Sequence, residues 1–181
     1  MKAGSHFVSF ILLVSLLSII CIKKRDIQEP GTVNMYQLTY ETPGTDGTLV
    51  TASGVVFVPP SGTGPYPLLS CQHGTLFSRK VAPSYTDSYP ETQAWLSEFA
   101  AKGYVVVIAD YIGLGKAGKS RHPNFHTETE ATSARDMIRA ARKFCADRGI
   151  LLGNNLFLAG YSQGGHVTTG LHLAGLSTAS I

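Results

Sequence analysis

The run Leu156-Phe157-Leu158-Ala159 leads directly into Gly160-Tyr161-Ser162-Gln163-Gly164-Gly165. An apolar strand ending in G-x-S-x-G is the arrangement that mounts a nucleophilic serine on a sharp strand-to-helix turn, which makes Ser162 the candidate nucleophile. Such a turn strains the serine backbone, so the residues two places away must be small enough for strand and helix to pass closely. Gly160 and Gly164 occupy those places, Gly165 adds a third small residue, and His166–Ala174 can continue as the helix. A competing explanation is a glycine-rich strand end whose serine only caps the next helix. The apolar run before the motif and the helix-compatible stretch after it favour the nucleophile. A serine hydroxyl attacks efficiently only when a neighbouring base takes its proton, and in this architecture the acid and the histidine follow the serine in the chain. The chain ends at Ile181, so the sequence predicts a nucleophile whose triad acid and base are absent and a chain inactive as it stands.

A second chemical segment is Leu68-Leu69-Ser70-Cys71-Gln72-His73-Gly74-Thr75. A loop after a buried strand can aim a backbone N–H at the serine's substrate, where it joins the N–H of the residue after the nucleophile to hold the oxyanion of a tetrahedral intermediate. The donors expected here are the backbone N–H groups of Thr75 and Gln163, with Gly74 allowing the main chain to approach. Otherwise the segment is a strand and turn with His73 a hydrogen-bonded structural histidine.

Gly113-Leu114-Gly115-Lys116-Ala117-Gly118-Lys119-Ser120 satisfies G-x-x-x-x-G-K-[ST], which raises a nucleotide-binding P-loop as an alternative. That loop works only if Lys119-Ser120 open a helix facing the phosphates. Pro123 biases His122 away from helix, the next helix signal is at Thr127, and no strand ending in a magnesium-binding Asp lies downstream. The match reads as chance.

The elements that must position these residues follow from periodicity. Asn34–Tyr40 and Thr48–Val58 flank Pro43-Gly44-Thr45-Asp46-Gly47, which is strong turn chemistry, and predict an antiparallel hairpin. Leu68–Gln72 and Tyr104–Ala109 are short continuous apolar runs, the pattern of strands buried on both faces. Glu91–Lys102 groups Trp95, Leu96 and Phe99 on one helical face, and Thr127-Glu128-Thr129-Glu130 reads as a capping box opening a helix to about Arg148. With Leu156–Ala159 as a further strand, the fold class is α/β: a mostly parallel sheet of the α/β-hydrolase type, preceded by an antiparallel hairpin and truncated after the elbow helix. A chain of 181 residues accommodates one domain, assigned to 33–181.

Residues 1–25 read as targeting sequence: Lys2 precedes an apolar run from Phe7 to Ile22, followed by Lys23-Lys24-Arg25. A signal peptide, a lipoprotein signal with Cys21 as the lipidated residue and an uncleaved membrane anchor all remain open. Each predicts an exported or membrane-anchored, extracytoplasmic protein. The net charge of +3 is concentrated in part beside this leader and implies no nucleic-acid partner. Cys71 and Cys145 are expected to be buried free thiols, and neither the cysteines nor the histidines have metal-ligand spacing.

His73-Gly74-Thr75, Asp110-Tyr111-Ile112-Gly113-Leu114-Gly115, His122-Pro123-Asn124-Phe125-His126 and Gly160-Tyr161-Ser162-Gln163-Gly164-Gly165 occur in an order that resembles secreted α/β-hydrolases related to secretory lipases. The G-x-S-x-G-G element is also similar to prolyl-oligopeptidase-type peptidases. The resemblance spans about residues 33 to 181. It implies acyl transfer to water through an acyl-Ser162 intermediate, with a small-molecule or lipid ester as substrate and no metal or organic cofactor. A serine peptidase of the same fold is the alternative, and a non-catalytic binding remnant is another. The family continues through strands bearing the acid and the histidine, which are not in this chain. His73, His122, His126, His166 and His172 are all expected to be structural rather than to replace that base.

Overall fold

The computed structural model describes residues 20–24, 33–85 and 90–174, with the backbone alone for 20–24 and 90–95. Its six strands are β1 (Ile20–Lys24), β2 (Asn34–Pro43), β3 (Leu49–Val58), β4 (Tyr66–Gln72), β5 (Val105–Ala109) and β6 (Leu152–Gly160), and its α-helices are α1 (Pro90–Ala101), α2 (Thr127–Asp147) and α3 (Gln163–Leu173). They form one sheet in the order β1-β2-β3-β5-β4-β6. The β2–β3 hairpin pairs antiparallel with Asn34 opposite Val58, and its turn is closed by Asp46, whose Oδ1 accepts from the Thr48 N–H and hydroxyl. Beyond β3 the sheet becomes parallel: β4 runs with β5 on one side and with β6 on the other.

Strand β5 is buried along its whole length, and its alternate side chains feed two separate cores. Val105, Val107 and Ala109 join Val56, Leu68, Met137, Ile138, Phe144 and Val167 beneath α2 and α3. Val106 and Ile108 join Val55, Phe57, Leu69 and Cys71 against Leu96 and Ala100 of α1 on the opposite face. Helices therefore cover both faces, as the continuous apolar runs require.

Two expectations need correction. The N-cap of α2 is His126 rather than Thr127: its ring Nδ1 accepts from the Thr129 N–H, and Glu130 reaches back to accept from the Phe125 N–H. A side chain one residue earlier thus satisfies an orphan helix donor, the part that the capping-box pattern assigns to Thr127. Strand β6 is longer than Leu156–Ala159, running from Leu152 to Gly160, and it lies at an edge of the described sheet with several residues exposed. Lys119-Ser120 open no helix, since α2 begins seven residues after Ser120, in line with the reading of the phosphate motif as a chance match.

Cys71 and Cys145 are buried free thiols, and burial pushes both up to about 12. Among the described residues no helix is long and apolar enough to cross a membrane, and no cluster of side chains could hold a metal ion. Ile20–Lys24, within the segment read as targeting sequence, pairs antiparallel with β2. The rest of that apolar run, Phe7–Ile19, lies outside the described residues.

Ile138 is fully buried in the core beneath α2. Ile138→Ala is expected to lower unfolding free energy by about 2–5 kcal/mol, from lost transfer energy and the cavity left behind, as read by urea denaturation.

Candidate active site

Strand β6 ends at Gly160 and α3 begins at Gln163, so a single reversal of the chain carries Ser162. Ser162 has φ 53° and ψ −125°, a conformation that L-residues seldom adopt, and it is exposed. A non-glycine residue is held there only where its surroundings over-determine it. The determinant is the close passage of α3 across the ends of β6 and β4. A Cβ on Gly160 would overlap the Gly164 carbonyl, and one on Gly164 would overlap the Gln72 carbonyl. Gly165 is under no such constraint, since a Cβ there would meet nothing nearer than the Gly160 carbonyl oxygen at 3.7 Å. The third small residue is thus dispensable for the crossing. The Gly164 and Gly165 N–H groups bond to the Tyr161 and Ser162 carbonyls and close the turn.

The loop after β4 lies against this elbow. Gln72 pairs with Gly160 in the parallel ladder, and a Cβ on Gly74 would come within 2.9 Å of the Tyr161 ring. Thr75, partly exposed, follows immediately. The two segments expected to form an oxyanion hole are brought together by the β4–β6 pairing. Gln163, at the first position of α3, has a backbone N–H that no intrahelical carbonyl can accept. Its side chain is buried and donates to Glu130 Oε1 at 2.6 Å and to Asn124 Oδ1 at 3.1 Å.

Behind the loop stands a buried polar knot that the sequence pattern does not single out. Asp110, at the end of β5, is fully buried; its Oδ2 accepts from the Ser53 hydroxyl at 2.5 Å and its Oδ1 from the Ser84 N–H at 2.8 Å. Burial raises its pKa above the ordinary carboxylate value. Ser53 and Ser84 in turn accept the N–H groups of Ala117 and Lys116, which ties down the loop that matches the phosphate motif. Lys116 and Lys119 of that loop line a cavity of about 280 Å³ with Ser53, Ser84, Thr39 and Thr51, away from Ser162. The signal available in the sequence is an aspartate closing a wholly apolar strand, a place where a charged residue needs partners.

Tyr111, with φ 66°, packs its ring 4.1 Å from the His73 ring and donates its hydroxyl to the His73 carbonyl at 3.2 Å. The His73 ring nitrogens lie 2.7 Å from the Gly74 carbonyl and 3.2 Å from the Asp110 carbonyl. A neutral ring donates to only one of them, and burial lowers its pKa to about 4.

Three further histidines are occupied elsewhere. His122 Nδ1 meets the Ile112 carbonyl, His126 caps α2, and His166 Nε2 meets the Thr127 hydroxyl at 2.8 Å. Among the described residues the Ser162 side chain has no hydrogen-bond partner. The site thus presents an exposed, strained serine with the Gln72–Thr75 loop alongside; no described histidine is hydrogen-bonded to the serine.

Residues 90–174 match the model of the prolyl oligopeptidase family. A crystal structure of the rice cell wall degrading esterase LipA from Xanthomonas oryzae superposes with TM-score 0.71 at 34% identity, over 84% of this chain and 41% of that one. A putative hydrolase from Legionella pneumophila gives 0.70 at 34% over 81% and 39%. Candida antarctica lipase A in its closed state gives 0.64 at 21% identity over 91% and 39%, a likeness of fold. The chain thus spans about two fifths of the length of these structures. No curated protein sequence matches it.

The glycine geometry sets a paired expectation. Gly164→Ala should destabilise the fold by about 1–3 kcal/mol through forced displacement of the β4 loop, whereas Gly165→Ala, with open space and a helical backbone, should be neutral or stabilising by up to about 1 kcal/mol; paired denaturation curves read the difference. For His73, the folded pKa of about 4 lies below the ordinary 6.5, so the unfolded chain binds the extra proton first as pH falls. The stabilisation is complete above about pH 6.5 and declines as pH falls toward 4, at up to about 1.4 kcal/mol per pH unit. His73→Phe should flatten that part of the stability profile.

Proposed function

We propose that this chain, which belongs to the α/β-hydrolase superfamily, carries the nucleophile and oxyanion hole of a serine hydrolase of carboxylic esters. The observation that carries the reading is Ser162: exposed, at φ 53°, on the strand-to-helix turn, with the Gln72–Thr75 loop alongside. In the proposed reaction Ser162 Oγ attacks the ester carbonyl carbon while a base accepts its proton. The carbonyl oxygen becomes an oxyanion held by the N–H groups of Gln163 and Thr75. Collapse expels the alcohol, which takes up that proton, and leaves an acyl-Ser162. Water then attacks the acyl carbon, returns a proton to Ser162 and releases the carboxylic acid.

Esters are preferred over peptides because the solved structures at 34% and 31% identity include a cell wall degrading esterase. The match of residues 90–174 to the prolyl oligopeptidase family supports a peptidase as the second reading. The base is assigned to none of the described histidines, because those with hydrogen bonds are bonded to other groups and none is bonded to Ser162. On its own, therefore, the 181-residue chain is proposed to turn over ester very slowly. Export or membrane attachment through the apolar N-terminal run belongs to the same proposal.

The test compares the 181-residue chain, its Ser162→Ala form, and both carried on a polypeptide that includes whatever coding sequence follows Ile181. Hydrolysis of a short-chain nitrophenyl ester and labelling by a fluorophosphonate are measured. Loss of a base that acts as a unit with its serine costs about 10⁶-fold in kcat, so turnover is expected only in the longer form and only with Ser162 present. Turnover indifferent to Ser162→Ala refutes the site. Brisk Ser162-dependent turnover by the 181-residue chain refutes the assignment of the base.

A further inference from the structure

Gln163 supplies an oxyanion donor through its backbone, yet its side chain is 1% exposed and both hydrogens of its amide nitrogen are engaged, one by Glu130 and one by Asn124. Glu130 sits in the first turn of α2, also 1% exposed. Its Oε1 accepts twice: from Gln163 Nε2 at 2.6 Å and from the Phe125 N–H at 2.9 Å, while its Oε2 is buried without a partner. Phe125 has φ 57°, so this oxygen links two strained points of the chain, the turn before α2 and the turn before α3. Keeping a carboxyl buried with one oxygen unpartnered is unfavourable. An apolar residue would pack α2 against α3 without that cost, but would leave the Gln163 amide with only the Asn124 acceptor.

We infer that Glu130 is a positioning residue for the oxyanion donor, acting through the Gln163 side chain; the inference rests on the serine-hydrolase reading above. Gln163 begins α3, so the peptide plane that carries its N–H is one of the two that define the elbow. Tethering its side chain to a second helix removes the freedom of that plane to tilt. Hydrogen bonds between buried groups, shielded from competing water, hold geometry more tightly than exposed ones. A donor held in place before reaction stabilises charge that appears only in the transition state, so the tether acts on kcat rather than on substrate binding. The bond to Asn124 supports the same amide from the His122–His126 loop, which accounts for why that loop lies beside the elbow.

The test uses Glu130→Ala, Glu130→Gln and Gln163→Ala, with two readouts. The first needs no activity: amide hydrogen exchange by NMR on the 181-residue chain, at Gly164 and Gly165, whose bonds to Tyr161 and Ser162 close the elbow. Exchange there should quicken at least about tenfold in Glu130→Ala and Gln163→Ala, while amides of Ile138–Ala141 in the middle of α2 keep their rates. The second is ester hydrolysis by the longer form: kcat should fall about 10- to 100-fold with KM within about twofold, and Glu130→Gln, which keeps an acceptor oxygen, should recover most of both effects. Unchanged exchange at Gly164 and Gly165 in Glu130→Ala overturns the inference. So does a lowered melting temperature with kcat intact, which is the signature of a purely structural role. Should Glu130→Ala fail to fold, Gln163→Ala removes the same bond from the other side and decides alike. If no form shows Ser162-dependent hydrolysis, the functional reading fails, and the exchange data alone decide whether Glu130 orders the elbow.

Discussion

The close passage of the α3 backbone over the carbonyl of Gln72 is the constraint on which the rest of this structure depends. Two polypeptide segments far apart along the chain meet there with no room for a single methyl group at Gly164. Because the helix must leave β6 at that distance, Ser162 is driven to a positive φ and stands exposed to solvent. The same contact draws the β4 loop alongside. Strain, exposure of Ser162 and proximity of the Gln72–Thr75 loop are consequences of one steric fact, and the parallel β4–β6 ladder, with Gln72 opposite Gly160, holds it in place.

Around that contact the molecule concentrates its buried polar groups at one rim of the sheet. Asp110, Ser53 and Ser84 hold one loop; His73 and Tyr111 hold another; Glu130, Gln163 and Asn124 hold the elbow itself. The opposite arrangement prevails in the middle of the sheet, where β5 is apolar throughout and its alternate side chains enter two cores. Hydrogen bonds tie the loops at this rim to the sheet and to one another, although Gln72 Oε1 and Glu130 Oε2 are buried without partners, and fixed donors are what an electrostatic site requires, since donors that must reorganise during reaction lose most of their advantage. Tyr111 and Phe125, both at positive φ, show that the backbone is strained at this rim as well as at Ser162.

Strand β6 leads into Ser162 yet forms an edge of the described sheet, with Phe157 on it and Tyr161 just after it markedly exposed. An exposed edge with apolar side chains is a surface for further pairing. The solved structures that superpose on this chain are about twice its length.

How much of this is legible without coordinates depends on whether the information is local. Gly160 and Gly164 on either side of Ser162, the Pro43–Gly47 turn and the apolar runs of β4 and β5 are local patterns in which steric demand and residue type coincide, and they lead to the hairpin, the parallel sheet, both cysteines as buried thiols and the elbow. The cap of α2 is displaced by one residue because a histidine ring can accept the bond that the pattern assigns to a threonine. Gly165 looks like part of the same tight crossing, and only the path of α3 shows that it has room to spare. Glu130 is legible as the acid that reaches back at the start of α2, but its bond to Gln163 is not, and Asp110 and Asn124 carry no assignable role, because these partners lie elsewhere in the chain, on β3, in the loop after β4 and on α3, and no spacing along the sequence encodes such a meeting. The sequence by itself determined where the chain turns and which serine it exposes, since those follow from glycine sterics and apolar periodicity. The tertiary structure alone decided which buried polar groups hold that turn in place, because hydrogen-bond partners distant in the chain are chosen by the packing of α2, α3 and the sheet against one another.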